Sequence, residues 1–497
     1  MTRLKIKKIG IDTYKENIAY MPKDCEICKS QGFAALSKIE IRQGEKNILA
    51  VLNMTENGLV EKGCVGLSHI AFERLGLPEG AEVTLAHPNP LLTIDFVKQK
   101  LDGQILHKEH FLSIVKDILA YRYSNIELTA FVIACSKQNL NEEEITALTE
   151  VMIETGGQMD WGLPLVLDKH CVGGVPGNRT TMIVVPIIAA FGLPIPKTSS
   201  RAITSPSGTA DTMESLTRVN LSLSEMKKVV AEENACIAWG GSLDLAPVDD
   251  ILISVERPLN LDSEGQMVAS ILSKKRAAGS THMILDIPIG PTAKVKNKKA
   301  ADRLKKIFEK VGKQIGLHVK VVYTNGSEPV GYGIGPALEA QDVWQVLKND
   351  PDAPQDLKEK SIFLAGELLE FSRKVKKNQG AKIARKILES GQAFEKFKSI
   401  TLKQGPLKTL TKARLAYDIK SGLAGKIESI HNQKIAKVAK LAGAPSDKRA
   451  GVFLHFKTQA RVEADQNLFT IYSETEAQLN FAVDYVKSNS DIFRIIS

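Results

Sequence analysis

Asp168-Lys169-His170-Cys171-Val172-Gly173-Gly174-Val175-Pro176-Gly177-Asn178-Arg179-Thr180-Thr181 is the stretch on which the reading of this 497-residue chain turns. It comes after an apolar run, 163–167, that has the length of a buried strand. Three glycines within five positions let the backbone approach a ligand and turn successive N–H groups inward. Thr180 and Thr181 then open an apolar helix, whose N-terminus attracts anions. Lys169 adds a full positive charge, and the hydroxyls add donors. The spacing matches neither a Walker A loop nor GxGxxG. An ordinary strand-turn-helix connection would carry similar glycines, so the glycine count by itself is a weak signal.

A second stretch of the same character occupies 197–211, KTSSRAITSPSGTAD. It brings many hydroxyls, Lys197, Arg201 and the turn at Gly208 directly after the apolar run 187–196, which is read as ending a buried strand. Loops leaving strand ends are where α/β proteins bind ligands. Two such hydroxyl-rich loops predict a phosphate site.

Outward from these loops, 163–340 alternates apolar runs (184–188, 283–287, 319–322) with helical patterns at 265–277 and 300–314, as in an α/β layer. The helix at 300–314 places Lys299, Arg303, Lys306 and Lys310 opposite Leu304, Ile307, Phe308 and Val311, a solvated face on an amphipathic helix. Residues 95–160 are helical. Phe111, Ile114, Val115, Ile118 and Leu119 form one face, and Asn141 with Glu144 spells a capping box flanked by the staple pair Leu140 and Ile145. Residues 1–90 are β-rich, with 48–52 a strand, and His87-Pro88-Asn89-Pro90 is a linker. Strands at 453–456 and 469–472 and a helix at 474–487 mark a C-terminal α+β part. The expected organisation is α/β overall and multidomain. It comprises a β-rich N-terminal domain (1–90), a helical domain (95–163), an α/β phosphate- and substrate-binding domain (164–400) and a C-terminal α+β domain (410–497).

The composition is that of a soluble globular protein, with 43% hydrophobic and 25% charged residues. The excess of 66 basic over 57 acidic side chains, +9, favours anionic partners without choosing among them. The first twenty residues lack an apolar h-region, so no secretory signal is expected. The most apolar run, 182–196, is short and broken by Pro186 and Pro194, so no membrane span is expected either. Six cysteines, including a lone Cys25/Cys28 CxxC, form neither a disulfide framework nor a zinc site, and reduced thiols in a cytoplasmic protein are expected.

The runs DKHCVGGVPGN at 168–178, SSRAITSPSGTAD at 199–211, AWGGSLDLAPVDD at 238–250, ERPLNLD at 256–262 and SILSKKRAAG at 270–279 resemble the thymidine and pyrimidine-nucleoside phosphorylases. Within that family they resemble the type 2 branch, which includes the archaeal AMP phosphorylases. The likeness runs from about 95 to 490, and the first 90 residues resemble the extra N-terminal domain of the AMP branch. It implies the type II nucleoside phosphorylase architecture, with the substrate cleft between a helical and an α/β domain. It also implies a pentosyltransferase in which inorganic phosphate, a co-substrate, attacks C1′ and displaces the base. Neither cofactor nor metal is implied, and a homodimer or larger homo-oligomer is.

The resemblance assigns phosphate to Lys169, Thr181, Ser199 and Thr209. It assigns substrate to Gly174, to Ser200, Arg201, Ala202, Ile203, Thr204 and Ser205, to Thr209, and to Ser270, Lys274 and Lys294. Asp262 and His170 are its candidates for protonating the leaving base. Read bare, Asp262 could be the N-cap of the following helix, and His170 could be a packed histidine. Cys171 stands where the family often has serine, and a thiol is the poorer donor.

The arginine that helps hold a pyrimidine in the nucleoside enzymes is missing near Val255, with Arg257 two residues away. Pro176 is an insertion, and Pro206-Ser207 depart from the usual small residues. Thymidine phosphorolysis heads the reading, with AMP phosphorolysis (to base and ribose 1,5-bisphosphate) as the alternative. A magnesium-dependent reaction like that of anthranilate phosphoribosyltransferases would draw on Asp249 and Asp250. A reading of another class is a non-catalytic nucleic-acid-binding or regulatory protein on the same fold.

Overall fold

A computed structural model describes residues 3–56, 58–138, 140–202, 205–259 and 263–496, without the side chains of Ser242 and Arg257. Two compact units emerge, one of residues 1–155 and 246–270, the other of 156–245 and 271–497.

In the first unit six strands close a barrel in the order Leu4–Lys8, Cys64–Leu67, Ile18–Pro22, Lys46–Thr55, Lys38–Gln43, Glu82–Ala86. Alternation decides which side chains fill it: Ile39 and Ile41 on one strand and Ile48, Ala50 and Leu52 on the next point inward. The expected strand 48–52 is the middle of Lys46–Thr55. The helices Ile94–Leu101, Lys108–Leu119, Asn125–Lys137 and Glu142–Glu154 come next along the chain. Phe111, Ile114, Val115 and Ile118 are buried as their spacing predicts, while Leu119, the fifth residue of the expected face, is half-buried at the helix end. Asn141 Oδ1 accepts the Glu144 N–H at 2.9 Å, and Glu144 Oε2 accepts the Asn141 N–H at 2.9 Å, closing the capping box. Glu144 also forms a fully buried pair with Lys100 at 2.7 Å.

The expected α/β domain 164–400 is not contiguous, because 246–270 belongs to this first unit. Its helix Pro247–Leu259 packs on Asn125–Lys137 and Lys108–Leu119.

In the second unit three parallel strands line up as His318–Asn325, His282–Ile289, Leu167–Cys171. A two-stranded parallel pair, Ile195–Ser199 with Ala235–Trp239, lies beside them, joined where Leu167 donates its N–H to the Pro194 carbonyl at 2.9 Å. The helix Thr181–Ala190 is buried along nearly its whole length. For that reason it shows no polar stripe; it opens at Thr180-Thr181 as the sequence predicts, but its β-branched end, from Ile187 on, reads from sequence as strand. The run 187–196 therefore is not a strand. It is the end of this helix, a turn and the first residues of Ile195–Ser199. Likewise 163–167 is not a strand: only Leu167 is extended, and the strand runs on to Cys171.

The C-terminal sheet Leu415–Lys420, Asn467–Ser473, Gly451–Leu454 is completed by Gly333–Ile334. It thus draws an edge strand from outside 410–497. No helix among the described residues is long and apolar enough to cross a membrane.

Candidate functional site

The strand Leu167–Cys171 carries charge on both faces, because alternate side chains leave a strand on opposite sides. Lys169 is 1% exposed. Its Nζ donates to Thr180 Oγ1 at 2.7 Å and Thr181 Oγ1 at 3.3 Å, at the start of the helix Thr181–Ala190. Among the described residues no carboxylate lies within 4.0 Å of it. Burial lowers its pKa; the ammonium of Lys360 and the guanidinium of Arg179 lower it further, while Cys171 and Asp286 work the other way. A buried cation that faces hydroxyls, a helix N-terminus and no counter-ion is arranged for an anion.

On the opposite face Asp168, fully buried, meets Lys197 at 2.8 Å, Lys275 at 3.1 Å and Ser280 Oγ at 3.3 Å. Burial opposes its charge, but the two ammonium groups and their hydrogen bonds prevail and hold it ionised, at about 2. Lys275 Nζ also donates to the Thr198 carbonyl, tying this cluster to the neighbouring strand. His170 shares the Asp168 face and is half-buried. Desolvation first, and then the charges of Lys275 and Lys197, push its pKa well below the ordinary histidine range.

The glycines of the cradle divide by purpose. A Cβ on Gly174 would sit 2.3 Å from the Lys294 backbone nitrogen, and one on Gly177 2.2 Å from the Val330 carbonyl oxygen. Both have positive φ, 83° and 76°. Close chain packing, rather than ligand approach, requires glycine at these two positions. Gly173, φ 95°, faces open space. The packing sets Lys294, which is exposed, directly against Gly174, so two expected substrate residues distant in sequence meet. Asn178 Nδ2 donates to Cys171 Sγ at 3.2 Å.

In the second loop, Lys197, Thr198 and Ser199 belong to the strand Ile195–Ser199 rather than to a loop. Ser199 Oγ donates to the Ala238 carbonyl at 3.1 Å. Ser200, Arg201, Ala202 and Ser205 lie beyond the strand end. Asp211, at the third position of the helix Thr209–Glu214, clamps them: its Oδ2 accepts the Ala202 N–H at 2.7 Å and the Gly208 N–H at 3.0 Å, and its Oδ1 meets Lys448 Nζ at 3.0 Å. Arg201 is committed within the protein. It donates to both Glu214 oxygens, at 2.6 and 2.8 Å, and lies over the Trp239 ring at 4.8 Å. That pairing holds Glu214 at about 2. Thr209 Oγ1 accepts from Arg179 Nη1 at 3.2 Å, and Arg179 Nε lies 2.5 Å from Glu339 Oε2. Burial pushes Glu339 up to about 7 despite this cation.

Ser270 belongs to the first unit, where its hydroxyl donates to Asp249 Oδ2 at 2.9 Å. Lys274 lies one turn beyond it on the helix Glu264–Ala277. Asp262, Ile203 and Thr204 lie outside the described residues. Among the described residues no group of three or more His, Cys, Asp or Glu side chains could hold a metal ion, Asp249 and Asp250 included.

Sequence reading passed over Arg179, Asp211, Glu339, Lys360 and Lys448. Asp211 had a local signal, an acid three residues after a capping glycine. Arg179 lies in the cradle stretch itself but carried no local sign of its pairing with Glu339; Glu339, Lys360 and Lys448 are brought in from distant segments and had none.

Three family models match. The glycosyl transferase family helical bundle domain covers 94–156, and the glycosyl transferase family a/b domain covers 163–262. The pyrimidine nucleoside phosphorylase C-terminal domain covers 426–493. A Legionella pneumophila (strain Paris) protein named "Putative thymidine phosphorylase" is 51% identical over 489 residues, 98% of this chain and 95% of its own. A protein of the same name from Methylococcus capsulatus is 49% identical over 98% of this chain and 95% of its own. Both alignments take in the N-terminal barrel. The crystal structure of anthranilate phosphoribosyltransferase from Thermus thermophilus superposes with a TM-score of 0.53 at 18% identity, covering 62% of this chain and 99% of that one, a likeness of fold alone. Transferase domains in this order, closed by the pyrimidine nucleoside phosphorylase C-terminal domain and matched at half identity along nearly the full length, make this chain a pentosyltransferase that belongs to the pyrimidine-nucleoside phosphorylase family.

Proposed function

We propose that the protein catalyses phosphorolysis of thymidine or a related pyrimidine nucleoside, yielding free base and 2-deoxyribose 1-phosphate. The observation that carries this reading is Lys169, a buried ammonium bonded, among the described residues, to two threonine hydroxyls at a helix N-terminus, beside an open glycine turn. Phosphate held there would be aligned against C1′. The new C1′–O bond forms as the C1′–N bond breaks, and the bonding pair leaves on the base nitrogen. Positioning and charge stabilisation supply the catalysis. The proton for the base falls to Asp262 or to His170. No cofactor is required beyond phosphate as co-substrate. All six cysteines are free thiols, which accords with a cytoplasmic setting, and the family resemblance carries a homodimer.

A second reading, AMP phosphorolysis, is favoured by one observation. The exposed cation Lys294 is packed against Gly174, and these are the contacts assigned to a nucleotide by the AMP-branch resemblance. The test is a product assay with inorganic phosphate and, separately, thymidine, uridine, AMP and CMP. Base released from thymidine and not AMP establishes the nucleoside reaction. The reverse moves the enzyme to the nucleotide branch, and no release from any substrate overturns both.

A further inference from the structure

Lys360 sits in the second turn of the helix Gln355–Phe371, far from either loop in sequence. Its side chain is 9% exposed, and its Nζ has no hydrogen-bond partner among the described residues. Its one close charge among the described residues is Asp286 Oδ2, at 3.3 Å. Asp286 is fully buried and sits in register opposite Cys171, at the end of the strand that carries Lys169. Its other oxygen accepts from Thr324 Oγ1 at 2.5 Å.

The start of this helix is fastened to the cradle. Asp356 Oδ2 accepts the Gly331 N–H at 3.1 Å, and the preceding Val330 donates its N–H to the Pro176 carbonyl at 3.1 Å. Asp356 and Lys360 are i and i+4, so Lys360 lies on the helix face that meets the cradle. Both the Lys169 ammonium and the Cys171 thiol feel its charge. Three cations, Lys169, Arg179 and Lys360, therefore converge beneath the glycine turn. Among the described residues two carboxylates, Asp286 and Glu339, answer them, and burial favours the neutral form of Glu339. An excess of buried positive charge is costly without an anion to complete it.

We propose that Lys360 is a second cation of the phosphate site, adding its charge to the bound anion from the Cys171 side of the cradle while Asp286 holds it in place. Where the thiol of Cys171 is a weak donor, this ammonium supplies attraction instead. The inference rests on the phosphate reading of the cradle and adds a residue to it.

The experiment measures the full-length chain in two ways. One is the phosphate KM and the nucleoside or nucleotide KM, taken with whichever substrate is turned over. The other is the rise in thermal midpoint produced by inorganic phosphate alone. Lys360→Met is expected to raise the phosphate KM at least about tenfold and to blunt the phosphate-induced rise, with the organic substrate's KM within about twofold of wild type. Lys360→Arg is expected to restore most of the phosphate response. Should the stranded Asp286 charge unfold the single variant, Lys360→Met with Asp286→Asn removes both charges and reads the same quantities. An unchanged phosphate response in a folded Lys360→Met protein, or equal shifts in both KM values, overturns the proposal. If Lys169→Met loses phosphate while Lys360→Met keeps it, Lys360 alone is refuted. If both keep the wild-type response, the cradle reading falls and Lys360 with it.

Discussion

Replacing Lys169 with methionine keeps the aliphatic stem and removes the charge. The ammonium is 1% exposed and is bonded to Thr180 and Thr181. An anion charge about 4 Å from it, at an effective dielectric near 20, interacts by about 4 kcal/mol. The two hydroxyls and the helix N-terminus remain in the variant and retain part of that. A loss of about 3 kcal/mol is then expected, more than a hundredfold in the phosphate KM. The organic substrate's KM should move by only a few-fold. The effect on stability runs against intuition. Because Lys169 has no carboxylate within 4.0 Å among the described residues, its removal strands no opposite charge. The thermal midpoint should hold or rise. Steady-state kinetics with each substrate varied in turn, together with thermal melts without phosphate, checks both halves. Equal increases in the two KM values, or a large fall in thermal midpoint, would refute the reasoning.

Asp168→Asn should be severely destabilising, by about 3–5 kcal/mol in denaturant unfolding, because Lys197 and Lys275 would be left buried without their carboxylate. In the wild type the stability from this depressed acid is present above its ordinary pKa of 3.8 and is lost as pH falls toward about 2. Glu339 has the opposite sign. Its folded pKa, about 7, exceeds the ordinary 4.5, so folding takes up a proton between these values and stability falls as pH rises through that window, by at most about 3 kcal/mol. Glu339→Gln should flatten the melting temperature between about pH 5 and 8, and an unaltered pH profile would show that Glu339 does not titrate there. Cys171→Ser, which restores a hydroxyl beside Asn178, should lower the phosphate KM by roughly threefold to tenfold; an unchanged value would remove position 171 from the phosphate contacts.

The sequence by itself determined the reaction class and much of the local structure. The periodic face of Lys108–Leu119 and the Asn141–Glu144 capping box need only neighbours three and four residues apart, and both formed as read. The charge and hydroxyls of the cradle are likewise written in one continuous stretch. Boundaries failed where burial erased periodicity. The helix Thr181–Ala190 opens where the Thr180-Thr181 pair predicts, but it is enclosed nearly throughout, so its strand-like composition concealed its end and displaced the following strand. Only the tertiary structure decided which charges are available. Arg201 reads as a ligand-binding cation and proves to be paired with Glu214 and laid over the Trp239 ring. Lys169 looks no different in sequence and proves to have no carboxylate beside it among the described residues. Glu339, Lys360 and Lys448 enter the site from separate segments. Ionic partnership depends on distances of about 3–4 Å between residues that only folding brings together, and no local pattern in the chain encodes them.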